Sequence, residues 1–391
     1  MLWLNWRDVK HPWAGGAEIH QHELAQRLAR EGHRVTVFSS WHPGLDRKEQ
    51  VGGYTIIRVG NNETYPLAVW RFLRVATDYD LIIENTNKVP LYTWVPLLLS
   101  KTRQLVAIVH HLNRRIYFRE LPLGRATLAY LLESFMPCLY TRMFKIPIVT
   151  VSESSRKELV RLGSDPRLIK TIHCGVDHEK YRPLTPNIIE QKTHYPTVLF
   201  LNRLMKYKQP DEALKAHALV VRRVANAKLI IAGDGEMLSY LKLLAGRLNI
   251  ADNVEFKGHI SEEEKIRLFQ QCWVCIQTSS KEGWSLSVTE AGACGTPTVG
   301  YRVCGLIDSI VDGKTGCLTD VQPRSLAEKL VFLLTDRASL ESMGKSAREF
   351  AMNFQWNNAC CQLLEVIEMI QNQSSIRGFN RLRDSILRRA E

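Results

Sequence analysis

At 391 residues the chain exceeds one ordinary core and suits two domains, each with room for a substantial apolar interior. Hydrophobic residues at 45% and charged residues at 24% exclude wholesale disorder. The net charge is +12, and residues 1–190 carry +8 of it, with 26 Lys and Arg against 18 Asp and Glu; such a surface can attract nucleic acid, an anionic membrane or a phosphorylated substrate, but no nucleic-acid module accompanies it.

The run Met1-Leu-Trp-Leu-Asn-Trp-Arg7 has a charge immediately behind its apolar residues and is expected to form a first strand, not a secretory leader. Gly15 and Gly16 follow, where missing side chains let a backbone approach a phosphate or sugar, although a tight turn needs glycine equally. Residues 17–31 then place Leu24 and Leu28 beside Ala25 and Ala29 on one helical face. Strands are expected at 34–39, 54–59, 80–84, 105–109 and 146–151, an alternation that indicates a parallel sheet covered by helices. Asp78 and Asp80 lie at the N-terminal end of a strand, the wrong end for a ligand site, so no metal is expected there. His110 and His111 end the strand 105–109, which would bring at least one imidazole to the rim of an interdomain crevice. Leu91–Ser100 is far below the roughly 20 residues that span a bilayer. Residues 101–145 hold eight Lys and Arg against two acids, and Arg114, Arg115, Arg119 and Arg125 lead into Leu128, Leu131, Leu132, Phe135 and Met136. Two readings of that stretch stand side by side: a helix burying its apolar face in the domain, or an interfacial surface for an anionic membrane.

The polar, proline-containing stretch 181–196 is expected to be an interdomain linker, between a first domain at 1–180 and a second at 197–370. Second-domain strands are expected at 197–201, 228–232, 254–257, 273–278 and 298–301. Just past the first of them, Arg203 and Lys208 offer a forked and a compact cation, suited to a diphosphate. Gly233 lies in the loop after the next strand, and His259 and Ile260 follow the third. After the fourth come Glu282-Gly283-Trp284-Ser285-Leu286-Ser287 and Glu290, two acids with seven residues between them where a strand turns into a helix running from about Ser285 to Gly295. The helix start at Ser285, Leu286 and Ser287 can bind an anion through its N–H groups. The nine cysteines are scattered and odd in number, which points to a reduced, cytoplasmic setting; Cys272 and Cys275 have no second pair nearby to complete a metal site. Residues 371–391 form a basic tail with Arg377, Arg381, Arg383, Arg388 and Arg389.

The stretch from Glu282 through Glu290-Ala, Gly295-Thr-Pro-Thr-Val and on to Gly305, Asp312, Gly313 and Gly316 resembles the signature of the retaining glycosyltransferases of family 4. The resemblance runs from about Trp6 to Trp356. It implies the GT-B fold, two α/β Rossmann-like domains whose parallel sheets face across a crevice, with the acceptor in the first domain and the donor in the second. It further implies a hexose moved from a nucleotide diphosphate sugar to a glycan or lipid-linked acceptor in cell-surface glycan or glycolipid synthesis. Glu290 would hold the ribose, Glu282 and His110 the transferred sugar, and Arg203, Lys208 and the 285–287 helix start the diphosphate. Gly15, Gly16 and Gly233 would lie against the donor, with His259 and Ile260 near the base and Gly283 and Trp284 in the donor turn. No cofactor and no catalytic metal are implied, since cations and N–H groups can stabilise the leaving diphosphate. Glu290 and Arg203 are expected to face the crevice and not the core. Asn202 replaces the family's usual glycine, and Trp284-Ser285 its commoner Phe-Gly. A nucleotide-sugar epimerase of the same fold, and an inactive scaffold that binds membranes or partners, are the alternative readings.

Overall fold

In the computed structural model, residues 1–75, 78–98 and 104–372 are described, and they form two compact units. The first comprises Met1–Cys174 together with the helix Trp356–Asn372; the second is Gly175–Gln355.

The first unit contains β1 (Leu2–Leu4), β2 (Thr36–Ser40), β3 (Lys48–Val51), β4 (Tyr54–Val59), β5 (Leu81–Asn85), β6 (Gln104–Val109), β7 (Ile148–Thr150) and β8 (Ile169–Thr171). They form one sheet in the order β3-β4-β2-β1-β5-β6-β7-β8. All pairs are parallel except β3 with β4. β3 was not expected from sequence, because Lys48-Glu-Gln-Val51 is polar; a Gly52-Gly53 turn, with φ of 57° and 88°, folds it back as an edge hairpin. The central strands are continuous apolar runs, as covering helices on both faces require, and β1, β5 and β6 are almost wholly buried.

The second unit contains β9 (Thr197–Leu201), β10 (Lys228–Ala232), β11 (Val254–Gly258), β12 (Val274–Gln277), β13 (Thr298–Tyr301) and β14 (Gly316–Thr319). Its sheet is wholly parallel, in the order β11-β10-β9-β12-β13-β14. Numbered within the unit this is 3-2-1-4-5-6, the doubly wound order whose switch point lies between β9 and β12. Val198, Phe200, Leu229, Ile231, Val274 and Ile276 fill its core. The short β14 escaped sequence reading; Gly316 is required there because a Cβ would stand 2.1 Å from the Thr298 carbonyl oxygen.

Two boundary expectations are corrected. The last helix, read from sequence as part of the domain 197–370, belongs to the first unit: Trp356, Leu363 and Val366 are buried, Arg27 Nε donates to Asn357 Oδ1 at 2.8 Å, and the Trp356 ring lies 5.8 Å from His20. Contiguity in sequence hid which sheet its apolar face would meet. Nor is 181–196 a loose linker. Tyr181 and Ile188 are buried, Gln191 Nε2 donates to the Cys294 carbonyl at 2.9 Å, and the buried Lys192 ammonium reaches Thr296 Oγ1 at 2.5 Å and the Gln270 carbonyl at 3.1 Å. A polar strap is thereby fastened into the second unit. The chain passes between units at Cys174–Gly175 instead, and Val176 bridges to Gln355 where the chain leaves the second unit. Of the expected tail, residues 373–391 lie outside the described residues.

Candidate functional site

The loops after β9 and β12 meet at the switch point of the second sheet. Thr278 Oγ1 donates to the carbonyls of Lys208 (3.0 Å) and Gln209 (2.8 Å), while Ser280 binds the Tyr207 carbonyl through its N–H (2.8 Å) and Oγ (3.0 Å). This lacing sets Lys208 Nζ 2.5 Å from Glu282 Oε1, which also accepts from Ser279 Oγ at 2.6 Å. Both charged side chains are buried. In such a setting the pair orients each partner, and removing either would leave the other uncompensated. The backbone of Glu282 is fixed as well: its N–H donates to the Cys304 carbonyl at 3.0 Å, and Gly305, at φ 83°, lies so close that a Cβ would meet the Glu282 carbonyl oxygen at 2.4 Å.

Arg203 is half-buried in the same loop, with Nη2 donating to Tyr207 OH at 2.7 Å. Asn202, standing where the family has glycine, is built into the site: its Nδ2 donates to Gln277 Oε1 (3.1 Å), and Gln277 Nε2 donates to Ser287 Oγ (2.8 Å), itself 3.2 Å from Ser285 Oγ. One amide chain therefore connects the end of β9, the end of β12 and the start of the helix Leu286–Ala293. That helix begins one residue later than expected, and Gly295 follows it at φ 77° as a left-handed cap. Its N-cap, Ser285, has φ 77°, a conformation natural to the glycine it replaces. Gly283 and Trp284 are buried behind it, the indole packing edge-on to Phe354 at 4.9 Å.

Glu290 lies further along the same helix. It is buried, and Lys265 Nζ lies 3.1 Å from its carboxylate. Burial pushes its carboxyl above the ordinary range, with Lys265 opposing the shift and Glu262 adding to it. Lys265 also pairs with Glu262 at 3.4 Å and stands 5.1 Å over the ring of Tyr181, whose hydroxyl donates to Glu262. Sequence reading missed Lys265, Tyr181 and Ser279; a basic residue on a helix or a tyrosine in a strap carries no motif.

Gly233 and Gly235 are demanded by packing: a Cβ on either would meet the carbonyl oxygen of Asn202 (2.0 Å) or Leu204 (2.6 Å). Gly233 N–H donates to the Gly258 carbonyl at 2.7 Å, beside the exposed His259 and the half-buried Ile260, which rests on core residues. These loops all leave the carboxyl edge of one sheet.

Gly15, Gly16 and His110 belong to the first unit. Gly15 N–H donates to Glu18 Oε2 at 2.8 Å as the helix Gly16–Arg30 begins, and Asn87 Nδ2 reaches Glu18 Oε1 at 3.1 Å from the loop after β5. His110 follows β6 but is buried, with Nε2 3.3 Å from His20 Nδ1, a partner that sequence reading also missed. Burial lowers the His110 pKa to about 4 and keeps the ring neutral near pH 7. Among the described residues no cluster of His, Cys, Asp and Glu could hold a metal ion, and no helix is long and apolar enough to cross a membrane.

Comparison with known proteins covers both units. Residues 14–180 match the profile described as Glycosyltransferase Family 4, and residues 182–350 match Glycosyl transferases group 1. D-inositol 3-phosphate glycosyltransferase 2 of Catenulispora acidiphila is 30% identical over 234 residues, 56% of this chain and 55% of that protein, so the match spans about half of the relative. The GDP-mannose-dependent alpha-(1-6)-phosphatidylinositol monomannoside mannosyltransferase of Mycolicibacterium smegmatis is 25% identical, covering 91% of this chain and 95% of its own. Among solved structures, sucrose-phosphate synthase from Thermosynechococcus elongatus superposes with a TM-score of 0.78 at 20% identity, covering 95% of this chain and 98% of that one. Anabaena HepE, solved in complex with UDP-glucose, gives 0.74 at 20% identity over 94% of this chain and 99% of its own. With two parallel-sheet α/β units and matching profiles along both, the chain belongs to glycosyltransferase family 4 and has the GT-B fold.

Proposed function

We propose that the protein transfers a hexose from a nucleotide diphosphate sugar to a hydroxyl of a glycan or lipid-linked acceptor, with retention of anomeric configuration and without a catalytic metal, in cell-surface glycan or glycolipid synthesis. The observation that carries this reading is the convergence of Lys208, Glu282, Arg203 and the helix start at Ser285 on the switch point between β9 and β12. The leaving diphosphate would receive charge from Arg203 and Lys208 and N–H groups from residues 286–287, a preorganised set that costs no rearrangement as negative charge develops. Glu282 Oε1 already holds Lys208 and Ser279, which supports an orienting and sugar-binding role over nucleophilic attack. The leaving phosphate oxygen would then take the acceptor proton on the same face. Glu290, oriented by Lys265, would bind the ribose hydroxyls.

The relatives named for GDP-mannose dependence and for a UDP-glucose complex both support a nucleoside diphosphate sugar as donor. Thermal stabilisation by a panel of UDP- and GDP-linked sugars is the first test. A donor should raise Tm in the parent protein and less in Arg203→Ala; absence of stabilisation by every member would count against the assignment.

A further inference from the structure

The helix Leu123–Cys138 is amphipathic the wrong way round for a core element. Ala126 and Ala129 face inward with Met136, whereas Leu128, Leu131 and Phe135 point outward and are 60%, 46% and 62% exposed. Leu123 at its start is 74% exposed, and Phe118 in the short helical turn Tyr117–Glu120 before it is 44% exposed. Core packing explains the alanines; among the described residues Leu128, Leu131 and Phe135 stay exposed, while Phe118 rests on the ring of Tyr130 at 5.7 Å. An apolar stripe of this kind is uncommon on a protein that stays in water.

Charge is sorted along the same stretch. Arg115, Arg119 and Arg125 are exposed, as are Arg142 and Lys145 beyond the helix. The two acids between 114 and 145 are withdrawn. Glu133 is buried, accepting from the N–H groups of Asn113 (2.7 Å) and Arg114 (2.6 Å) and from Tyr117 OH (3.0 Å), and Glu120 is half-buried. Every exposed charge in this stretch is therefore positive.

We propose that the outward face of Leu123–Cys138 and the turn before it dock on an anionic lipid surface, with Leu128, Leu131 and Phe135 entering the headgroup boundary and Arg115, Arg119 and Arg125 meeting lipid phosphates. A second copy of the chain fits less well, because a two-fold pairing through this face would bring the same arginines together. The proposal does not depend on the transferase reading, and its test has no enzymatic readout.

Full-length protein is sedimented with vesicles of phosphatidylglycerol and phosphatidylcholine, and with pure phosphatidylcholine, at low and high salt. Binding should require the anionic lipid and weaken as salt rises. Arg115→Gln, Arg119→Gln and Arg125→Gln should each lower the partition coefficient about fivefold. The pair Leu131→Ser and Phe135→Ser, exposed and thus neutral to folding, should lower it by about tenfold or more at fixed salt. Negligible or equal binding to both vesicles at low salt would overturn the proposal. So would undiminished binding by both sets of variants, which would put attachment elsewhere on the chain, or a solution dimer that the serine pair splits.

Discussion

Lys208 and Glu282 illustrate how one contact serves folding and chemistry together. Because the pair is buried, either Lys208→Ala or Glu282→Ala should destabilise the second unit by about 3 to 5 kcal/mol, read from denaturant midpoints. The double variant Lys208→Met with Glu282→Gln should recover part of that loss while remaining inactive; full stability in both single variants would mean that the contact does not hold the loops. Glu290→Ala is expected to destabilise as well, since it strands Lys265. Arg203→Ala is the cleaner probe of catalysis. Half-buried and joined to Tyr207, it should keep the fold while kcat falls by the equivalent of about 2 to 4 kcal/mol. Ser285 offers a gain: at φ 77° it carries backbone strain, so Ser285→Gly should raise stability by about 1 kcal/mol, and a lower unfolding midpoint would show that its hydroxyl contact with Ser287 matters more.

At the scale of elements, the second sheet was largely legible because most of its strands are apolar runs and β11 alternates Val254 and Phe256 with Glu255 and Lys257. Each of β9 to β12 is followed by a loop that carries residues of the family motif. β3 and β14 were hidden for opposite reasons: β3 is a polar edge strand, and β14 is short and begins with a glycine that only the neighbouring strand explains. The site's motif residues were readable, and their supporting residues were not. Lys265 comes from a helix, Ser279 from a loop and Tyr181 from a strap, and each acquires meaning only when folding brings it to Glu290, Glu282 or Glu262. Asn202 stands where the family has glycine. Its amide chain through Gln277 to Ser287 shows how a side chain there occupies space that the family's glycine leaves open.

For the whole molecule, acid should weaken both units, the first more than the second, which among the described residues holds only His217 at a similarly depressed value of about 4. Burial holds His11 and His110 at about 4, and His20 well below its ordinary value, all in the first unit. Because these folded pKa values lie below the unfolded value of about 6.5, the neutral rings contribute stability that is fully present above that value and is lost as pH falls toward 4. The first unit's calorimetric Tm should therefore drop between pH 6.5 and 4, and less steeply in His110→Gln; superimposable profiles for the two proteins would remove this account of His110. Sequence contiguity could not show that this unit is completed by Trp356–Asn372, because the apolar face of a helix does not name its partner. The most direct test of the central claim is the anomeric proton spectrum of the product formed from an α-configured nucleotide diphosphate sugar in excess chelator. An α-linked product formed at an undiminished rate is the predicted result; a β-linked product, or turnover that appears only when Mg²⁺ or Mn²⁺ is restored, would contradict it.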